Sequence, residues 1–202
     1  MSSDRQSFST RRLEALTDGV FAIAMTLLVL DLNVAELGNA ASNQELWHAL
    51  TGMSSNLVSF VVSFLLLGSM WAVHVRQFEH IQEADRRLTA INTLRLLIVV
   101  LIPFTTSLAG TYSGLLLGEV LFPINFLTLA IVSWWQWQYA AKHLRNDMSA
   151  QARHKAVLRN SAVVIIATLV VVFAIFVGEY AFLLFAATPL AIGLLEKMTR
   201  PQ

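Results

Sequence analysis

The stretch R-R-L-E-A-L-T-D-G-V-F-A-I-A-M-T-L-L-V-L-D, residues 11–31, decides how the chain is read. An apolar run from Gly19 to Leu30 is closed at each end by an aspartate, Asp18 and Asp31, and Arg12 precedes the first of them. If Asp18 capped the helix, the run that follows would be about 18 Å long at 1.5 Å per residue. That is too short for a hydrocarbon core about 30 Å thick. A helix that begins near Thr10 is long enough, and it carries Asp18 inside it, near one membrane interface. An ionisable side chain at that depth is costly and marks a candidate functional site.

The composition agrees with a lipid environment. Of 202 residues, 56% are hydrophobic and 13% charged, against about 25% charged in soluble domains. Mean hydropathy is +0.62. A chain this short has too little interior to hide so much apolar surface from water. The net charge of +1 gives no argument for nucleic acid as a partner, and the absence of cysteine excludes disulfides and thiolate metal sites. The opening M-S-S-D-R-Q-S-F-S-T-R-R lacks a signal-peptide pattern, so the first apolar segment is expected to stay as a membrane helix.

Six segments qualify as spans, at about 12–33, 51–77, 88–109, 116–141, 157–177 and 180–195. They predict an all-α integral membrane protein, a single six-helix transmembrane domain over residues 1–202. Gly110-Thr-Tyr-Ser-Gly114 reads as the turn that ends the third span. All 14 Lys and Arg fall on one side of this layout: Arg5, Arg11 and Arg12; Arg76, Arg86, Arg87 and Arg95; Lys142, Arg145, Arg153, Lys155 and Arg159; Lys197 and Arg200. The opposite connections carry only the acids Asp31, Glu36, Glu45, Glu119 and Glu179. By the positive-inside rule both termini are cytoplasmic and the number of spans is even. Trp134, Trp135, Trp137 and Tyr139 read as an aromatic belt at the inner end of the fourth span.

At about 100° per residue, Arg11, Glu14, Asp18, Ala22 and Met25 fall on one side of the first helix. Leu16, Val20, Ile23, Leu27, Leu30 and Val34 fall on the other, with Thr26 at the flank of that stripe. Asp18 is expected to turn into protein and find donors there. Periodicity favours ordinary helix packing for the aliphatic stripe, with lipid or a pore as alternatives. On the second helix Ser55, Ser59, Ser63, His74 and Gln77 share a face. His74 and Trp71 lie at a depth similar to Asp18, so a His–Asp or Trp–Asp hydrogen bond is expected to fix the first helix. Asn92 and Arg95 are further candidates.

There is no G-x-x-x-x-G-K loop, no H-E-x-x-H and no T-V-G-Y-G filter, and the five histidines lack metal-ligand spacing. An enzyme is not expected, nor any bound cofactor or metal.

The stretch R-x-x-x-L-T-D-G-V-F-A-I-A-M-T-L-L-V-L, Arg12 to Leu30, resembles the signature first helix of the bacterial relatives of transmembrane protein 175, the endolysosomal potassium channel, whose hallmark is R-x-x-x-F-S-D. W-A-V-H (71–74), P-F-T-T-S-L (103–108) and F-P-I-N (122–125) are further matches, so the resemblance covers about the first four helices. It implies a six-helix subunit that assembles as a homotetramer in a bacterial plasma membrane, with the first helices lining a central pore. It implies potassium as the permeant ion, selected over sodium without a carbonyl filter. Carried over by position, the constriction would be Ile23, with Leu27 and Leu30 above it and Thr26 as the selectivity layer. Arg12, Thr17, Asp18, Trp71 and His74 would form the structural network of the motif. Two positions depart from the hallmark: Leu16 replaces its phenylalanine and Thr17 its serine. The hydroxyl is kept and the ring is lost, a change that bears on gating and subunit packing. A proton-coupled transporter using Asp18 and His74, and a non-conducting membrane scaffold, are the competing functions. Partners in every case are membrane lipids and, in the channel reading, monovalent cations.

Overall fold

The computed structural model describes residues 9–33, 37–81, 83–141, 149–177 and 184–185. The first helix, α1 (Thr10–Leu27), begins where the span length requires and runs into a 3-10 turn at Leu28–Asp31. Together they make one candidate span of 22 residues, Thr10–Asp31. The connection that follows holds a short helix not expected from the sequence, α2 (Asn43–Gly52). Its start is chemically marked: Ser42 Oγ accepts from the Glu45 amide at 3.2 Å, and Glu45 Oε2 accepts from the Ala41 amide at 2.8 Å. Reciprocal capping of this kind satisfies amides that have no partner inside the helix. No residue of α2 is buried.

The second span is α3 (Ser54–Phe78). The third is broken into α4 (Arg86–Val100) and α5 (Ile102–Thr111). Pro103 has no N–H to offer to the preceding turn, so the break falls at Leu101. At the start of α4, Asp85 Oδ1 accepts from the Leu88 amide at 2.7 Å, while Tyr139 donates its hydroxyl to Asp85 Oδ2. One aspartate thus caps α4 and pins it to the end of α6 (Leu116–Ala140). The turn into α6 needs two glycines. Gly114 has φ of 92°, and a Cβ on Gly118 would sit 2.3 Å from the Tyr112 carbonyl oxygen. The last described helix, α7 (Ala150–Val177), packs along α6.

Among the described residues the fold is wholly helical, with five helices long and apolar enough to cross a membrane: Thr10–Asp31, Ser54–Phe78, Arg86–Thr111, Leu116–Ala140 and Arg153–Phe176. The sixth expected segment, 180–195, lies outside the described residues. The main core joins Phe21, Ala24 and Leu28 of the first span to Leu66, Leu67 and Met70 of α3, Val99 of α4 and Phe122, Phe126 and Leu129 of α6. A smaller cluster of Leu13, Phe78, Ile81, Ala84, Leu88 and Ala140 closes the end where α1 begins.

Two sequence expectations are corrected here. Arg95 does not belong with the basic residues of the connection. It lies inside α4 and is 2% exposed, so the basic count at that connection falls by one. Trp137 is not part of an aromatic belt; it is buried in the helix bundle, whereas Trp134 and Trp135 are exposed.

Candidate functional site

The first helix divides sharply around its circumference. Leu13, Thr17, Phe21 and Ala24 are buried against the rest of the subunit. Ile23, Leu27 and Leu30 are 60%, 42% and 70% exposed. Thr26 is exposed too, and its hydroxyl donates back to the Ile23 carbonyl at 2.8 Å. Because Leu28–Asp31 is 3-10 helix, Leu27 and Leu30 eclipse one another rather than stepping around the axis. Val20 of the aliphatic stripe packs against the main core, as periodicity suggests, whereas Ile23, Leu27 and Leu30 stay largely uncovered by the described residues.

The polar residues are drawn to the other side. Thr17, fully buried, donates to the Leu13 carbonyl at 2.8 Å and accepts from Asn92 Nδ2 at 3.0 Å. Asn92 Oδ1 in turn accepts from Gln136 Nε2 at 2.9 Å. This chain ties α1 to α4 and α4 to α6. One turn above Asn92, Arg95 makes a second knot. Its Nε donates to Ser133 Oγ at 3.0 Å, its Nη1 lies 2.6 Å from His74 Nδ1, and its Nη2 is 3.5 Å from the Met70 carbonyl. The guanidinium also sits 5.2 Å from the Phe21 ring centroid, a cation–π distance. The arginine guanidinium only donates and has no lone pair to accept with, so His74 Nδ1 is the acceptor and the ring proton of the neutral imidazole sits on Nε2. None of the Arg95 partners is an acid. Its donors reach α3 and α6 and its face lies toward Phe21 of α1, so three helices meet at a side chain carried by a fourth, α4.

Asp18, next to Thr17, points elsewhere. It is exposed and accepts from Trp71 Nε1 at 2.8 Å. Of the two bonds considered for Asp18, the tryptophan one forms and the His74 one does not: Trp71 is 40% exposed, while His74 is 1% exposed and engaged by Arg95. Asp18 therefore finds its donor at the surface of the subunit, not in its interior. Arg12 is exposed and is not brought to the network. Asn92 and Arg95 were legible as polar residues in an apolar span, but Ser133 and Gln136 were not singled out. Their signal was a pair of polar residues three apart on α6, facing the core.

Nearer the other end, Thr106 donates to Ser63 Oγ at 2.8 Å and Asn125 Nδ2 donates to Thr105 Oγ1 at 3.1 Å. Gln77 Nε2 donates to Asn160 Oδ1 at 3.2 Å, joining α3 to α7. No cluster of three or more His, Asp or Glu with metal-binding geometry occurs among the described residues. Interhelical hydrogen bonding thus holds the inside, while the outside of the first span carries Arg12 and Asp18 toward its start and exposed Ile23, Leu27 and Leu30 toward its end.

Residues 12–103 match the family profile of the endosomal/lysosomal potassium channel TMEM175. A potassium channel of Chamaesiphon minutus is 34% identical over 155 residues, covering 72% of this chain and 73% of that one. The chain belongs to the TMEM175 family. A potassium channel of Streptomyces collinus is 41% identical over 101 residues, 50% of this chain and 48% of the relative. The endosomal/lysosomal proton channel TMEM175 of Danio rerio is 23% identical over 179 residues, 88% of this chain but 34% of that protein. The matched stretch thus spans about half the length of the Streptomyces relative and about a third of the fish one. The crystal structure of a lysosomal potassium-selective channel TMEM175 homolog from Chamaesiphon minutus shares the fold, with a TM-score of 0.72 at 23% identity over 95% of this chain and 98% of the other. Membership makes the chain a multi-pass membrane protein of an ion-channel family.

Proposed function

We propose that the chain is a potassium-permeable channel, selective for potassium over sodium, in which α1 helices of a homotetramer line the pore. The observation that carries this reading is the exposed stripe Ile23, Leu27 and Leu30 on a helix whose Thr17 and Asp18 are engaged by Asn92 and Trp71 on other helices. In the first span, as in Arg153–Phe176, only 28% of the window is buried inside the subunit, against 50% for α6. A helix so little covered has a second surface to meet. Rings of branched aliphatic side chains can gate a pore by dewetting and need no carbonyl filter. Ile23 is the narrowest ring in this reading, with Leu27 and Leu30 beyond it. Thr26 contributes to selectivity, its hydroxyl oxygen having a lone pair to offer. The termini are cytoplasmic and the membrane is the bacterial plasma membrane. Lipids and monovalent cations are the partners, and no enzyme chemistry or resident cofactor is invoked. The buried network of Thr17, Asn92, Gln136, Arg95, His74 and Ser133 holds the subunit together and presents the stripe.

The test is ion flux into liposomes carrying the purified tetramer, with potassium and sodium gradients run separately. Rapid potassium flux with weaker sodium flux supports the reading; correctly assembled protein that moves neither ion under any gradient sinks it. The relatives named as proton channels supply a second reading, proton permeation through the same pore. A pH-sensitive dye in the same vesicles measures it directly.

A further inference from the structure

The line that carries Ile23 continues toward the start of α1 and ends on a charge. At 100° per residue, Arg12 and Leu16 each lie within about 20° of Ile23, and Gly19 within about 40°. All four are exposed, and a Cβ added at Gly19 would meet nothing within 4 Å. Arg12 stands in the first turn of a helix that begins at Thr10, a turn without an acid. That end of a helix already carries about half a positive charge from its free amides. A cation there is placed against the dipole. The Arg12 guanidinium has no hydrogen bond or ion pair with any described residue. Glu14 is half-buried about 160° away around the helix, and Asp18, about 120° away, is engaged by Trp71. Orientation by the positive-inside rule explains a basic residue at this end, but not its register with Ile23.

We propose that Arg12 and the N-terminal end of α1 form a positive collar at one mouth of the pore, which limits cation entry from that side and rectifies the current. This rests on the pore reading above. Repeated by the symmetry of the assembly, each guanidinium adds to the field of its own helix terminus. The collar lies about 16 Å from the Ile23 ring along the helix axis. The Debye length at physiological salt is about 8 Å. The collar therefore governs the rate at which ions reach the constriction, not the choice between potassium and sodium made there. Arg12 is a positioning residue for the permeant ion rather than part of the filter.

Single-channel recording in planar bilayers tests this, at about 50 mM and about 1 M potassium chloride, where screening is weak and strong. At the low concentration Arg12→Gln should raise current entering from the α1-start side about threefold, and Arg12→Glu should raise it further. Arg12→Lys should match the unmodified protein. At the high concentration all four should converge, and the potassium-to-sodium permeability ratio should not move. The protein has no cysteine, so Arg12→Cys provides one thiol. A cationic methanethiosulfonate reagent should restore the original rectification after folding, and a neutral one should not. An Arg12→Gln channel with unaltered low-salt rectification overturns the collar, as does Arg12→Lys behaving like Arg12→Gln. If Ile23→Asn alters conductance while Arg12→Gln does not, the pore stands and the collar falls. If neither substitution alters it, the pore assignment itself has failed.

Discussion

The two faces of α1 invert the order of a soluble helix. Thr17 is buried completely, while Ile23 and Leu30 are the most exposed of the large apolar residues on the first span. In water that arrangement would cost free energy on both sides. In a membrane assembly the outward aliphatic residues are left for a surface beyond the subunit, and the inward polar ones gain because any polar group left without a partner in hydrocarbon is penalised. The inner face is specified by hydrogen-bond geometry, the outer face only by shape and polarity. Substitutions should divide accordingly: inner changes act on folding of the subunit, outer ones on what passes through the assembly.

The largest effect should come from Arg95→Met. It strands His74 Nδ1 and Ser133 and removes the knot among four helices. With hydrogen bonds to a charged group worth about 1.5–3 kcal/mol each, the loss should exceed about 3 kcal/mol. The expected outcome is failure to elute as a uniform species in detergent. Arg95→Lys should recover little, because an ammonium cannot reproduce the fork. A stable, well-folded Arg95→Met protein would break the contrast between faces. Ile23→Asn is the opposite case. Stability should change by less than about 0.5 kcal/mol, as for other substitutions outside a packed core, yet potassium leak should rise and selectivity over sodium fall in liposome flux. Unchanged flux would remove Ile23 from the pore.

Two smaller changes sharpen the boundary between faces. Thr17→Val keeps the shape and removes the acceptor for Asn92, a cost of about 1–3 kcal/mol for the buried amide left unpaired. Thr17→Ser should cost less than about 1 kcal/mol. A thermal melt comparing the two separates hydroxyl from methyl. Asp18→Ala breaks a bond at the subunit surface, so it should move subunit stability by about 1 kcal/mol and weaken assembly more than folding. Size-exclusion with light scattering reads the second effect. Full assembly with altered proton dependence of flux would favour the transporter reading.

Some of this was open to inspection in the residues alone. The need for a start near Thr10 followed from span length, since a membrane sets a minimum that a run ending at Leu30 cannot otherwise meet. The break before Pro103 follows from backbone chemistry; the turn expected at Gly110–Gly114 starts later than read, because α5 continues through Gly110 to Thr111. Arg95 misled for a related reason. Counting charges along the chain placed it with its neighbours at the connection, because a buried arginine is exceptional in an apolar span. The short helix α2 was legible too, from the capping pair Ser42 and Glu45 and from Leu46, Trp47 and Leu50 at helical spacing, but it is too short to span and so escapes a reading made by span length.

What the sequence determined by itself is local: where helices must span, where they break, and that one carries an aliphatic stripe. Those features depend on chain neighbours and on the thickness of the bilayer. Which polar groups meet was decided only in three dimensions. The partners are distant in sequence, 75 residues for Thr17 and Asn92, 53 for Asp18 and Trp71, and 38 for Arg95 and Ser133. Adjacent residues on a helix point about 100° apart, so Thr17 and Asp18 bond to different helices. Only the rotation of each packed helix settles which of them is buried.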